Sequence, residues 1–442
     1  MRKCAVGILD SLSLLRKIKR GDLSALLDIT NEFDIVMLNL PGQKVVIPSS
    51  VDLLYDFFKA DQKGLVKTPR AQHYTRKAMG VGLISTDKEE WREKRNACRG
   101  IFNTAELNGF TSTMDDAIHF LFSSGRVNAQ LDVVMASITI NVIGRLFFGD
   151  FSDEDAEKIR ISVTKMMEPT FRRMISPVPF LVDPLNIRTS FYRKQMFDVL
   201  SANIISARRS PKPNLIRKYF AENDCVEDVA NLFAAGYETT ASATVWLLYE
   251  LSRNEGIKRR MREELSSIES LEDYHKLQMQ IPLTIACVKE ILRLYPPAWI
   301  LGRTSTEDIL IGDMKIDSNT DVVLSPFVFH RSSKYWDKPD LFDPYRFFND
   351  KALEHKYYFP FGIGIRSCIG EKLALLEIYH ILFYLFNNFE FEIDSKKVAM
   401  NPHFTLKPAG SIHIQLKPKK NEQQITGTGT IRRPTLERDL SK

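Results

Sequence analysis

Four groups of residues in this 442-residue chain have types and spacings suited to chemistry. The first is "FPFGIGIRSCIGEKLALLEI", residues 359–378, where Cys368 stands among Gly362, Gly364 and Gly370, with Arg366 two residues before it. A lone cysteine is ordinarily a small buried hydrophobe. Here the glycines permit positive φ and let a large flat ligand approach the backbone. A helix starting at about Gly370 points its first N–H groups at the sulfur, which favours thiolate over thiol. A thiolate beside an arginine is a metal ligand or a nucleophile, and neither zinc-ligand spacing nor a paired histidine accompanies it.

The second group is "AAGYETT", with Glu238 and Thr239 in the middle of a long, almost uncharged stretch. Small residues there could simply admit a neighbouring helix, but a buried carboxylate is costly without a task. The third is "KEILR", which sets Glu290 and Arg293 three apart on one helical face; taken alone this is an everyday surface ion pair. The fourth is "WREKR", which puts Trp91 and Arg95 at i and i+4, either a core indole beneath a basic face or a paired donor site.

These groups need elements to hold them. Residues 33–48 alternate around Pro41-Gly42 as a β-hairpin. From about 88 to 300 the pattern is mostly helical. "EEWREKRNACRGIF" is amphipathic, and 131–148 is apolar nearly all round and therefore buried. Residues 154–208 hold two helical stretches split by "SPVPFLVDPLNI", whose three prolines no helix accommodates. The 227–254 stretch reads as a helix through the protein's centre. Strand-like pieces fall at 309–325, 388–393 and 411–416, and 417–442 reads as a basic polar tail, disordered by composition.

Composition narrows the class. A net charge of +6 and a pI near 8.8 are too mild to argue for nucleic acid. Five scattered cysteines without a CxxC argue against a disulfide framework and for a reduced, cytoplasmic protein. The N-terminal 29 residues never reach about 18 consecutive apolar positions, so no transmembrane segment is expected there. Asp10 interrupts the run that loosely mimics a signal peptide. No GxGxxG or GxxxxGK[ST] supports a nucleotide fold.

Phe361, Gly364, Arg366, Cys368 and Gly370 reproduce F-x-x-G-x-R-x-C-x-G, and on this the chain resembles the cytochrome P-450 family of soluble haem-thiolate monooxygenases. The resemblance implies a mainly α cytochrome P-450 fold with a smaller β-rich part and haem between two central helices. It implies one domain over 1–416: a β-rich part at about 30–70, a helical part at about 70–300 and a haem-binding loop at 361–370. It also implies the cofactor haem b, with Cys368 as axial ligand and metal site and Phe361, Gly362 and Gly370 in its loop. O2 is the co-substrate, and NAD(P)H acts only indirectly.

In the same way, "AAGYETT" is similar to the family's distal segment. Ala235 and Gly236 would leave room for dioxygen, Thr239 would hydrogen-bond it, and Glu238 would help relay protons. Trp91, Arg95, Arg303 and Arg366 would hold the haem propionates. Glu290 and Arg293 resemble the family's E-x-x-R pair. They are completed by Arg346 in "PYRF", where Tyr345 replaces the usual Glu, and these three are implied to be structural, as is His330. By family position, Leu83, Ile84, Ala235, Ala298, Trp299, Ile300, Leu301, Phe404 and Thr405 would face a hydrophobic substrate, with Trp299 or Phe404 stacking on a ring. Fatty acid, terpenoid and aromatic natural product all fit, with a lean toward the fatty-acid-hydroxylase-like branch. Electrons would come from a separate ferredoxin or flavodoxin and its reductase, docking on Lys88, Arg92, Lys94, Arg99 and Lys372, unless these are only a solvated basic face. The expected working unit is a monomer. Hydroxylation competes with oxidative coupling, peroxide-driven or isomerising chemistry, and with a haem-thiolate sensor that is not an enzyme.

Overall fold

A helix with scarcely a charge between its ends must be largely covered, and the Val226–Ser252 helix is: from Val229 to Leu251 every residue is buried except Ala235, Gly236, Glu238 and Thr239. Glu227 and Asp228 sit in its first turn, where they complement the helix dipole. The Leu131–Phe148 helix lies against it, with Thr139 donating to the Tyr237 carbonyl at 3.0 Å and Phe148 stacked on Phe233. Where the two helices meet, a Cβ on Gly236 would stand 2.7 Å from Ile143 Cδ1. Gly236 therefore serves helix–helix approach, and the expectation that its missing side chain makes room for dioxygen is corrected. Leu131–Phe148 is also the one described helix long and apolar enough to cross a membrane, yet 78% of it is buried inside the protein.

Residues 1–61, 64–123, 128–176, 181–183, 186–221, 224–271, 274, 276–348, 357–394 and 396–419 are described in the computed structural model. The proline-rich break separates helices Asp153–Met174 and Ile187–Arg209, as its composition requires. The N-terminal 32 residues, for which the sequence suggests no regular element, form a strand, Lys3–Val6, and two short helices, Ile8–Lys19 and Ser24–Glu32. Leu14 and Leu26 among their apolar residues are buried only by tertiary packing, against Val36 of the sheet and Val328 of the helix Pro326–Arg331. Lys417 and Pro418 close the strand His413–Pro418, and the rest of the expected tail, from 420 onward, lies outside the described residues.

The β-rich part is one six-stranded sheet in the order Lys3–Val6, Ile35–Leu40, Gln43–Pro48, Asp321–Leu324, Leu301–Ser305, Leu65–Lys67. The hairpin expected around Pro41-Gly42 is its second and third strands, with Val36 opposite Ile47. Val45 and Asp321, far apart in the chain, become neighbours across the next, parallel pairing. The antiparallel edge pairing sets Lys67 opposite Arg303, so two cations share one sheet margin. A second core, built on Ile35, Val46, Phe57, Val322 and Phe329, supports this sheet apart from the main helical core.

Packing at Gly236 is testable. Gly236→Val should lower stability by about 1–3 kcal/mol through overpacking, and Ile143→Ala in the same chain should recover part of it. Urea unfolding measures both, and a Gly236→Val protein as stable as the parent would remove the close approach from this account.

Candidate active site at Cys368

The cysteine loop closes on itself. The Cys368 N–H donates to the Phe361 carbonyl at 2.8 Å, Gly362 N–H to Phe359 at 3.0 Å and Ser367 N–H to Gly364 at 3.1 Å. Gly362 (φ 71°) and Gly364 (φ 76°) occupy the left-handed region where a side chain is strained. Gly370 differs from expectation. Its φ of −92° suits any residue, and its contribution is the N–H it directs at the sulfur, just before the Glu371–Asn388 helix.

Cys368 lies deep in the fold but has open surface, as a residue lining an internal cleft does. Its thiol is pushed up to about 11, by burial first. The Gly370 N–H pulls the other way, Glu371 adds to the rise, and Arg95 lowers it. Burial thus outweighs one N–H and one guanidinium, where the sequence pattern alone points to a thiolate. Among the described residues no group of three or more His, Cys, Asp or Glu side chains converges on a metal site. A single cysteine suits a metal whose cofactor supplies the other ligands.

Trp91 is buried between two guanidinium groups, Arg95 at 5.4 Å and Arg366 at 5.2 Å from its ring centroid. Arg366 reaches Asp61 at 3.5 Å and pairs with Asp87, and Arg303 Nε donates to Asp61 at 2.6 Å. Lys67 Nζ donates to the Leu83 and Ile84 carbonyls at 2.8 and 3.1 Å. Its ammonium is pushed down to about 7 by burial, then by Arg366 and Arg303, with Asp87 and Asp61 opposing. Burial opposes ionisation of Asp87. The Lys67 and Lys88 N–H groups and Arg366 nevertheless hold its carboxyl below the usual range.

Sequence reasoning missed Lys67, Asp61 and Asp87. Only Asp87 left a signal, as the residue capping the helix Lys88–Arg99. Lys67, Arg303 and Arg366 face two carboxylates, Asp61 and Asp87, so positive charge is in surplus here. In addition, Arg366 Nε, 3.5 Å from Asp61, is buried without a hydrogen-bond acceptor among the described residues. Surplus cations, an unmatched N–H donor and a lone thiol together fit a carboxylate-bearing iron porphyrin.

In the central helix, Thr239 Oγ1 donates to the Ala235 carbonyl at 2.8 Å. Glu238 is not isolated: Lys407 pairs with its Oε1 and Thr405 Oγ1 donates to its Oε2 at 3.3 Å. Ala235, Gly236, Glu238 and Thr239 are only partly buried in a helix otherwise covered, so one stripe of it is open. The candidate pocket is thinner than expected. Leu83, Ile84, Ala298, Ile300, Leu301 and Phe404 are partly open. Trp299 is buried in a small core, its Nε1 donating to the His403 carbonyl at 2.8 Å, so it cannot stack on a substrate. Thr405 is buried against Glu238 and is withdrawn from the pocket too. The 80–86 loop that carries Leu83 and Ile84 is held by Asn231, which accepts from Ile84 N–H at 3.1 Å and donates to the Met79 carbonyl at 3.0 Å. A Cβ on Gly82 would run into that Asn231 side chain.

Glu290 and Arg293 are fully buried, not the surface pair that their spacing alone suggests. Arg293 donates Nε and one Nη2 hydrogen to Glu290 at 2.7 and 2.8 Å. The remaining three N–H groups go to the His330, Pro339 and Leu341 carbonyls. Arg346 Nε reaches Glu290 at 3.1 Å, while Tyr345 is exposed and its hydroxyl accepts from Arg260 at 2.8 Å, away from the Glu290–Arg293 pair. His330 accepts the Phe359 N–H at 2.9 Å through Nε2, linking this network to the start of the cysteine loop.

The "Cytochrome P450" family model matches residues 14–416, and the chain belongs to that family. It is 26% identical to cyclooctatin synthase of Streptomyces melanosporofaciens, over 90% of this chain and 92% of the relative. It is also 26% identical to pentalenene oxygenase of Streptomyces avermitilis, over 78% of this chain and 81% of that one. In fold it is similar to the crystal structure of CYP175A1 from Thermus thermophillus, with a TM-score of 0.76 and 24% identity, covering 95% of this chain and all of the other. The protein is thus a cytochrome P-450 monooxygenase, mainly α with the family's smaller β part.

The buried network carries its own test. Arg293→Lys keeps the charge but loses the five-donor fork. It should destabilise the protein by about 1–3 kcal/mol, the usual result of leaving a buried acceptor without its donor. A denaturation midpoint equal to the parent's would contradict this.

Proposed function

We propose that this protein binds haem b through Cys368, activates O2 with electrons from a separate redox partner, and oxidises a hydrophobic small molecule. The observation that supports it most is the Cys368 loop itself: a buried sulfur that receives the Gly370 N–H, lies within electrostatic reach of Arg95 and is presented by a self-closed turn. Bound haem would supply the dioxygen chemistry, in which O2, R–H, two electrons and two protons give R–OH and water.

The chain's own residues would do the rest. Trp91, Arg95, Arg303 and Arg366 would hold the two propionates, with Lys67 regaining its proton as negative charge arrives beside it. Glu238 would relay protons from solvent along the helix toward Thr239, whose hydroxyl is oriented by the Ala235 carbonyl. Leu83, Ile84, Ala235, Ala298, Ile300, Leu301 and Phe404 would shape an apolar pocket that selects by fit. Pentalenene is the substrate named for one relative, and for that reason terpenoid hydrocarbons come first among the classes to test here, ahead of fatty acids and aromatic products. Five unpaired cysteines suit a reducing, cytoplasmic setting.

Electrons would arrive from an acidic ferredoxin or flavodoxin, reduced in turn by its NAD(P)H-dependent reductase. Lys94 is excluded from that dock, since it is partly buried in an ion pair with Asp228 at 2.8 Å. Arg99 stays exposed and lies electrostatically beside Arg95 on the sulfur side. Lys372 is exposed close by, donating to Thr104.

Two measurements test this reading. The reduced, carbon monoxide-bound protein should show the Soret position of thiolate-ligated haem, and Cys368→Ala should abolish it; a variant that keeps the band would refute Cys368 as the ligand. Arg99→Glu with Lys372→Glu should slow reduction by ferredoxin and flatten its salt dependence, whereas unchanged kinetics would leave these residues as a solvated face.

A further inference from the structure

The hairpin Met400–Pro402/Leu406–Pro408 is fastened to the central helix along one face. Ser242 Oγ and Trp246 Nε1 both donate to the Leu406 carbonyl, at 2.7 and 3.1 Å. Four residues earlier on that face, Glu238 receives Thr405 Oγ1 and Lys407 Nζ on its two carboxylate oxygens. Glu238, Ser242 and Trp246 are spaced i, i+4, i+8, so the hairpin covers a single stripe of the helix.

Exposure then separates the partners: the Glu238 side chain is 13% accessible and that of Lys407 is 34%. The lysine stands at the rim while the carboxylate stands within. A carboxylate in so apolar a helix carries a desolvation cost that the ammonium offsets. His403 and Tyr237 also face this pair, and Glu168 and Arg172 lie farther out around His403.

We propose that Lys407 is a positioning residue for proton delivery: it holds the Glu238 side chain turned toward the hairpin rim, where solvent protons enter, while adjacent Thr239 faces the cleft. This rests on the monooxygenase reading above. Correct delivery gives R–OH and water from O2, R–H, two electrons and two protons. The same two electrons and two protons, misdelivered, give H2O2 from O2 and leave R–H unchanged. When no substrate reacts, four electrons and four protons take O2 to two waters. NAD(P)H supplies the electrons through the redox partner in every case, so the peroxide released per NAD(P)H reads the fate of the protons whether or not a substrate is oxidised.

The test uses full-length, haem-loaded protein with a ferredoxin and its reductase, and limonene and dodecanoic acid as probes. Lys407→Met should raise peroxide per NAD(P)H several-fold and enlarge the solvent deuterium isotope effect on consumption. Lys407→Arg should restore both, with the carbon monoxide band and the melting temperature of each variant at the parent's values. Glu238→Gln and Thr239→Ala serve as comparison variants. If Glu238→Gln releases extra peroxide while Lys407→Met matches the parent, Lys407 has no positioning role. The positioning role is equally overturned if Lys407→Met only lowers the melting temperature. If Glu238→Gln and Thr239→Ala both behave as the parent, the proton relay fails and takes the Lys407 role with it.

Discussion

The whole proximal side of this molecule depends on one guanidinium with no donor to spare. Arg293 is fully buried, and each of its five N–H groups finds an acceptor: two on the Glu290 carboxylate and three on backbone carbonyls at 330, 339 and 341. A buried charge is tolerable only when satisfied this completely, so the constraint runs outward from it. The chain after Ser325 has to bring three carbonyls to one point. His330, held there by its own carbonyl, uses its ring to hold Phe359 and with it the entrance to the cysteine loop. The placement of Cys368 is thus set by a network that never touches the sulfur.

A second constraint is charge. Strand register places Lys67 beside Arg303, and the loop geometry adds Arg366, so three cations meet two carboxylates in a partly dry place. Burial depresses Lys67 first and the two arginines add to it; the imbalance makes the site more favourable to an anionic ligand than any single arginine would. The carbonyls that hold the Lys67 ammonium belong to Leu83 and Ile84, so the proposed pocket wall and the cationic cluster share one lysine. Asn231 fastens the same loop from the central helix, which ties both to the element that carries Glu238 and Thr239.

Much of this is legible in the sequence where chemistry and local spacing coincide. The 359–378 stretch announces a ligand approaching backbone, and the glycines at 362 and 364 are there for the conformation they alone adopt without strain. Apolar periodicity marks both buried helices and the hairpin at 41–42. The misreadings share one cause, which is that side-chain direction is not a sequence property. Trp299 and Thr405 look like pocket residues by position but turn into neighbouring packing. Gly236 looks like space above a cofactor but opens toward Ile143. Lys94 looks like a docking cation but is spent on Asp228.

By itself, then, the sequence determined most element types and the central position of the 227–254 helix and marked Cys368 as the candidate ligand, because those follow from periodicity, composition and backbone conformation within a few turns of chain. Tertiary structure alone decided which charges meet. Glu290–Arg293 has the spacing of a surface pair and becomes a buried anchor only because residues 330 to 346 fold over it. Glu238 acquires Lys407 from 169 residues away, and Asp61 acquires Arg303 from 242 away. Electrostatic energy depends on distance and burial, and neither exists until the chain has closed on itself.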